Sequence, residues 1–343
     1  HIPFHRRGGT DDPLHLPPAL AMVHQDLQGL GHGMNDQRVH PVRLGDLQGF
    51  ANLRLGVVFR CQVVDVLQIA AVGEMRQQVP PEQLLGLYQQ RLAAIEDIIR
   101  REDIVTLPQR KANIRLATEA EAAAVPASFM RPPQLVNNTG QFGEFVLVQS
   151  NPAMGSDEAQ MDDWSHDAVT WALTVHEARP GHELQYATLV ENGTSLARAI
   201  FAGNSANIEG WGLYAESIMQ QYLPPEGQLF NLFTRLMRAA RMFLDPMVNT
   251  GQITPQQAQE FLVDQVGLSL PMAASEADRY AFWLPGQATA YYYGYTNLMR
   301  LRTEVEIAHG DDFNQRKFHD YILEQGLLPP DLLREAVLDE FVR

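Results

Sequence analysis

Cysteine occurs once in the 343 residues, at Cys61. An internal disulfide and a cysteine-based zinc site are therefore excluded, and a lone thiol leaves the redox compartment open. Basic residues are scarce, with 26 Lys+Arg against 41 Asp+Glu and a net charge of -15. Nucleic-acid binding draws most of its affinity from Lys and Arg, so a nucleic-acid partner is not expected. Also missing is any unbroken run of the roughly 18–20 apolar residues that a bilayer span requires. The richest stretch, Leu53 to Val72, is interrupted by Arg54, Arg60, Gln62, Asp65 and Gln68. No charged-then-apolar leader follows His1, so the chain reads as processed or as a fragment. A soluble protein is expected, its compartment open between cytoplasm and periplasm and its oligomeric state unknown. Apolar residues make up 45% and charged residues 20%, which is enough for a sizeable core.

Residues 1–73 lack Glu, Lys, Ser, Tyr and Trp altogether, yet carry six of the eleven histidines. All 21 glutamates lie beyond them. Such a shift marks a boundary, placed here between an atypical N-terminal segment, 1–78, and a body, 79–343. The scattered histidines show no ligand spacing. The run Leu55–Leu67 is strand-like and would suit a small separate domain. The reading we favour is a segment foreign to the fold that follows, as from a misassigned start or frame, and no function is placed in it.

The body reads as helices. Pro80-Pro81 precedes an amphipathic stretch from Glu82 to Arg101, with Leu84, Leu85, Leu87, Tyr88, Leu92, Ile95, Ile98 and Ile99 at helical spacing. Residues 118–125 are Ala/Glu-rich. Asn137–Gly140 followed by Glu144–Val148 reads as turn chemistry and then a strand or hairpin. Helical patterns follow at Trp164–Glu177, 205–222, 227–248, 255–267 and 287–308. Breaks are expected at Asp245-Pro246, Asn249–Gly251 and Leu270-Pro271. The expectation is a mainly α protein with a small β element.

Three stretches carry chemistry. In Val175–Gln185, VHEARPGHELQ, His176 and Glu177 close an apolar helical run and His182 follows. Imidazoles that hold a metal beside a carboxylate that works on water are the parts of a zinc hydrolase. The usual i, i+4 spacing puts two histidines about 40° apart on a helix, whereas i+6 puts them about 240° apart. Both can face one metal only if Pro180-Gly181 breaks or bulges the helix; otherwise they are two partly buried histidines at a helix end. The second stretch, Asn207–Glu216, places Glu209, Leu213 and Glu216 on one face, with Gly210 and Gly212 permitting close approach. Glu209 follows His182 at a distance suited to a carboxylate ligand from a later helix; taken alone it would be a solvated acid. The third stretch, Trp283–Arg302, holds Tyr291, Tyr292, Tyr293 and Tyr295. One or two of them could offer a phenol to an oxyanion, and the rest would pack.

HEARPGH at 176–182, IEGWGLYAE at 208–216 and PGQATAYYYGY at 285–295, in that order, resemble the large bacterial family named domain of unknown function 885. That family is grouped with the gluzincin-type zinc metallopeptidases. Arg100–Pro108 and the strand Glu144–Val148 are similar to it too, so the resemblance covers about 79–343. It implies zinc held by His176, His182 and Glu209, with Glu177 as general base and Tyr291 stabilising the oxyanion. The fold it implies is a zincin-like metallohydrolase domain, a helical bundle around a metal cleft. Typical members are longer, with a helical N-terminal part that roofs the cleft. The expected function is zinc-dependent hydrolysis of a peptide bond. The alternatives are a non-catalytic remnant lacking its N-terminal cleft half, a zinc amidohydrolase acting on small non-peptide amides, and an acidic scaffold that binds through its helices.

Overall fold

The computed structural model describes residues 79–124, 127–148 and 166–342. The expectations for residues 1–78, and the helix start at Trp164, lie outside the described residues. The described part is mainly helical. Helix α1 spans Pro81–Arg101. Strand β1 (Asn113–Leu116), helix α2 (Glu119–Ala124) and strands β2 (Phe129–Arg131) and β3 (Glu144–Leu147) follow. Next come α3 (Asp167–Leu173), a π turn at Thr174–Ala178, and α4 (His182–Asn192). Then come α5 (Leu196–Phe201), α6 (Ser205–Met219), α7 (Pro225–Asn249), α8 (Pro255–Phe261) and α9 (Leu270–Asp278). The chain closes with α10 (Thr289–His309), α11 (Gln315–Glu324) and α12 (Pro330–Ala336).

The three strands form one sheet in the order β1-β3-β2, with β1 parallel and β2 antiparallel to β3. The expected strand at 144–148 is thus the central one. Its Phe145, Val146 and Leu147 are buried, as a strand covered on both faces requires. Helix α1 lies against it, with Tyr88 meeting Phe145 edge-on at 5.3 Å between ring centroids. Of the eight apolar residues expected at helical spacing in α1, Leu84, Tyr88, Ile95 and Ile99 are buried and Leu85, Leu87, Leu92 and Ile98 are half-buried.

The main core lies among α6, α7 and α10 and includes Trp211, Tyr214, Met237, Leu244, Tyr292 and Leu298. Helices α6 and α10 cross backbone to backbone. A Cβ added at Gly294 would lie 1.9 Å from the Ala206 carbonyl oxygen, and one at Gly210 would lie 2.6 Å from Gly294 Cα.

Two expected breaks differ from what is found. Helix α7 runs through Pro246 to Asn249. A proline this close to a helix end removes one ladder hydrogen bond, while Leu244 and Asp245 beside it stay buried. Asp245 also accepts from the Gly286 and Ala288 N–H groups at 2.8 and 3.0 Å, which fastens the loop before α10. Leu270-Pro271 opens α9 rather than merely ending what precedes it. Ser269 caps that helix through the Met272 N–H, and the proline stands in the first turn, where no N–H partner is needed.

His319 on α11 joins the body to the loop after α1. The Ile104 carbonyl can only accept, so Nδ1, 2.7 Å from it, carries the proton. Nε2 then accepts from the Tyr214 hydroxyl at 2.7 Å. Burial, chiefly, depresses this imidazole to about 3, against about 6.5 when unfolded. Below pH 6.5 the unfolded chain binds a proton that the folded one refuses. This contribution is therefore whole above pH 6.5 and lost as pH falls towards 3. Urea unfolding should show His319 removing about 2 kcal/mol between pH 6.5 and 5. The His319→Gln variant should start less stable at pH 7 but fall less steeply; equal slopes would count against a titrating His319.

Candidate metal centre

The two histidines come together because the chain between them is not a regular helix. After α3 the turn Thr174–Ala178 is π, and Arg179 is extended at φ -129°, ψ 135°. The Arg179–Pro180 peptide is cis, and α4 starts at His182. Gly181 lies flat against the turn just completed. A Cβ there would meet the His176 oxygen at 1.9 Å and the Val175 oxygen at 2.4 Å, so only glycine fits. The corner is pinned from several directions. Arg179 donates to Glu183 at 2.8 Å, to Glu96 of α1 at 2.7 Å and to the Arg110 carbonyl at 2.6 Å. Trp211 Nε1 donates to the Pro180 oxygen at 2.9 Å. The outcome is that the His176 and His182 rings meet edge-on, 4.6 Å between centroids.

Helix α6 supplies the third group. Glu209 Oε2 lies 3.6 Å from His176 Nε2 and 3.4 Å from His182 Nε2, and it has no hydrogen-bond partner although buried. These separations are long for hydrogen bonds. They are what two ligand atoms on one tetrahedral ion show, since bonds of ~2.0–2.2 Å at the tetrahedral angle set vertices ~3.4 Å apart. Gly212, a turn further on, makes room: a Cβ there would lie 2.6 Å from His176 Cε1 and 2.9 Å from His182 Cε1. Two turns on, Glu216 Oε1 is 2.6 Å from His176 Nδ1. Glu216 is itself held by Thr234 at 3.2 Å and Arg238 at 3.3 Å. A carboxylate behind an imidazole in this way fixes its tautomer and turns Nε2 towards the cluster. His182 Nδ1 has no such partner among the described residues.

Glu177 is half-buried, and its Oε2 accepts from the Met130 N–H of strand β2 at 2.9 Å. His176, Glu177 and His182 can bring one ligand atom each within 4.8 Å of one another, and Glu209 Oε2 lies within 3.6 Å of both Nε2 atoms, which gives two overlapping candidate ligand sets, one completed by Glu177 and one by Glu209. Glu209 fits better, because its free oxygen faces both Nε2 atoms while an oxygen of Glu177 is occupied by the strand. Burial raises the Glu177 carboxyl above the usual range, although both imidazoles pull it down. Burial would also raise Glu209, but His176 and His182 override it and hold it well below that range. For His176 burial works downward, and Glu209 and Glu216 outweigh it, raising the imidazole to about 9. His176, His182 and Glu209, with Glu177 beside them, are the residues that could hold a cation.

Tyr291 also arrives at the site. Its ring stacks on His176 at 6.3 Å between centroids, and its hydroxyl accepts from Arg279 at 3.2 Å. Of its neighbours, Tyr292 and Tyr295 are buried in the core and Tyr293 is exposed. All five residues singled out from the sequence are therefore brought together. Missing from that set were Glu216, Gln287, Arg279 and the Met130 N–H. Glu216 left a signal, being seven residues after Glu209 and on its face. Gln287, which donates to Glu209 Oε1 at 3.2 Å, stands inside the PGQATAYYYGY stretch. Arg279 and Met130 left none, since folding alone brings them here.

The model of a family described as bacterial protein of unknown function (DUF885) matches residues 58–337. No curated protein matches the sequence. Among solved structures, the chain resembles a provisionally assigned lipoprotein of unknown function from Shewanella oneidensis. The TM-score is 0.68 and the identity 20%, over 94% of this chain and 56% of that one. It also resembles a provisionally assigned lipoprotein from Colwellia psychrerythraea, at TM-score 0.68 and 21% identity over 96% of this chain and 56% of that one. Both likenesses establish a shared fold, and the chain spans little more than half the length of these relatives. No helix among the described residues is long and apolar enough to cross a membrane.

Proposed function

The chain belongs to the DUF885 family of bacterial proteins, and from that premise and the site's geometry we propose that it is a zinc-dependent hydrolase of peptide bonds. Its body would then stand with the gluzincin-type zinc metallopeptidases. The observation that carries this reading is Glu209 Oε2, buried, without a hydrogen-bond partner and 3.4–3.6 Å from two imidazole nitrogens. His176, His182 and Glu209 would hold the ion. When bound, zinc supplies a Lewis acid that polarises a carbonyl and acidifies water.

The remaining work falls to the chain's own groups. Glu177, its carboxylate made basic by burial, takes a proton from the attacking water and passes it to the leaving amine. The Met130 N–H holds one Glu177 oxygen still and leaves the other for that proton. Tyr291, kept protonated chiefly by burial, donates its hydroxyl to the oxyanion. Glu216 keeps His176 in the tautomer that presents Nε2. The net step is addition of water, cleavage of the C–N bond, and release of an acid and an amine.

Metal analysis of the purified protein is expected to find one zinc per chain, and the His182→Ala variant is expected to lose it. A library of short peptides read by mass spectrometry should show cleavage by the first protein and none by the second. Unchanged zinc in His182→Ala, or cleavage by metal-free protein, would sink the reading.

A further inference from the structure

Resting on the hydrolase reading above, we propose that Arg279 binds a substrate carboxylate on the leaving side of the cleaved bond, so that the enzyme removes single residues from free C-termini. Arg279 opens the π turn Arg279–Trp283 after α9. Its Nη2 donates to Gln287 Oε1 and, at 3.2 Å, to the Tyr291 hydroxyl. Both acceptors are neutral. Gln287 in turn donates to Glu209 at 3.2 Å, so the guanidinium stands one side-chain amide away from a proposed zinc ligand.

The nearest carboxylate is already engaged. Glu276 is gripped by Arg241 through two bonds of 2.6 Å and accepts from the Tyr280 hydroxyl at 2.9 Å. Arg279 Nη1 reaches it only at 3.5 Å, the outer edge of hydrogen bonding. Arg279 Nε has no partner among the described residues. The Arg279 side chain nonetheless keeps 20% of its surface, against 5% for Arg241. A guanidinium with donors to spare, on a side chain that is partly open and whose one carboxylate, Glu276, is held more closely by Arg241, is a receptor for an incoming anion.

Its placement selects which anion. An oxyanion lies ~2.7–3.1 Å from the group that donates to it, and Arg279 Nη2 lies 3.2 Å from that same Tyr291 hydroxyl. The carboxylate of a one-residue leaving group is about one Cα–Cα step, ~3.8 Å, from the cleaved carbonyl. That reach matches Arg279; a two-residue leaving group would carry its carboxylate about twice as far.

The test uses a library of N-acetylated tetrapeptides in two forms, with free C-termini and with C-terminal amides. Turnover is read by mass spectrometry for the unaltered protein and for Arg279→Gln and Arg279→Lys, each checked for zinc content. The ratio of kcat/KM for acid over amide is expected to be on the order of 100 in the unaltered protein. It should fall to near 1 in Arg279→Gln, with Arg279→Lys between. A ratio unchanged in Arg279→Gln overturns the proposal and leaves the hydrolase reading standing. If neither form is cleaved, the hydrolase reading fails, and the Arg279 proposal is judged by retention of the same library on immobilised protein. Preference for free acids that Arg279→Gln abolishes sustains it; equal retention overturns it. Amides ending in Asp or Glu form a further arm. Their selective cleavage, lost in Arg279→Gln, would assign the carboxylate to a side chain instead and overturn the C-terminal preference.

Discussion

Glu177→Gln is expected to lower peptide turnover by about 10²–10⁴-fold, the worth of a positioned general base, while zinc stays at one per chain. Glutamine keeps the shape and the acceptor for the Met130 N–H but cannot take a proton. Glu209→Gln should do the opposite and strip the metal. An amide is a poorer ligand than a carboxylate, and its NH₂ would point at imidazole nitrogens now 3.4–3.6 Å from Oε2. The pair of variants separates the two overlapping metal sets. If Glu177→Gln emptied the site and Glu209→Gln kept it filled, the ligand would be Glu177, and the two glutamates would exchange roles. Metal analysis and turnover on the same preparations read both.

Gly294→Ala should be the most damaging single methyl in the described structure outside the ligand corner. The added Cβ would lie 1.9 Å from the Ala206 oxygen and 2.7 Å from Gly210 Cα. Both are backbone atoms of α6, so no rotamer change relieves the overlap and the two helices must part. Overpacking costs typically 1–3 kcal/mol, occasionally more, and a backbone clash belongs at the upper end. For a body of this size that is a fall in Tm on the order of 10 °C. Because α6 carries Glu209 and α10 carries Tyr291, zinc affinity should fall with it. Gly86→Ala is the control: nothing lies within 4 Å of its would-be Cβ, and a mid-helix glycine replaced by alanine gains stability. Differential scanning calorimetry of the two variants decides the matter; equal midpoints would show that the crossing tolerates a side chain.

Much of the fold and site was legible in the sequence wherever one element carried its own signal. Helix α1 is legible in the proline start and the helical spacing of its apolar residues from Leu84 to Ile99, of which Leu84, Tyr88, Ile95 and Ile99 are the buried ones. The His176–His182 spacing showed by geometry alone that a helix must break if the two were to meet, and a π turn with an extended Arg179 is what the corner contains. Pro246 does not break its helix because the burial of Leu244 and Asp245 offsets the proline's local cost. Helix α11 is short and its signal is local, with Asn314 capping it through the Lys317 N–H and Phe318 and Ile322 sharing a face. β1 and β2 are too short for alternation to register, and only β3 beside them makes them strands. Within the site, groups inside the three motifs were readable. Arg279 was not, since it reaches Tyr291 and Gln287 through a turn whose path no local pattern describes.

Helix α6 is in effect a keyed shaft. Within its 15 residues it carries Glu209 towards two imidazoles, Gly210 into the crossing, Trp211 onto the Pro180 carbonyl, Gly212 under the rings and Glu216 behind His176. Each added or deleted residue would turn everything beyond it by about 100° and shift it about 1.5 Å. A single-residue insertion between Glu209 and Glu216 would therefore uncouple the two carboxylates at a stroke, even if every side chain were retained. Length variation belongs outside this helix, as in the connection at 193–195 ahead of α5, and the stretch from Glu209 to Glu216 is one indivisible gauge.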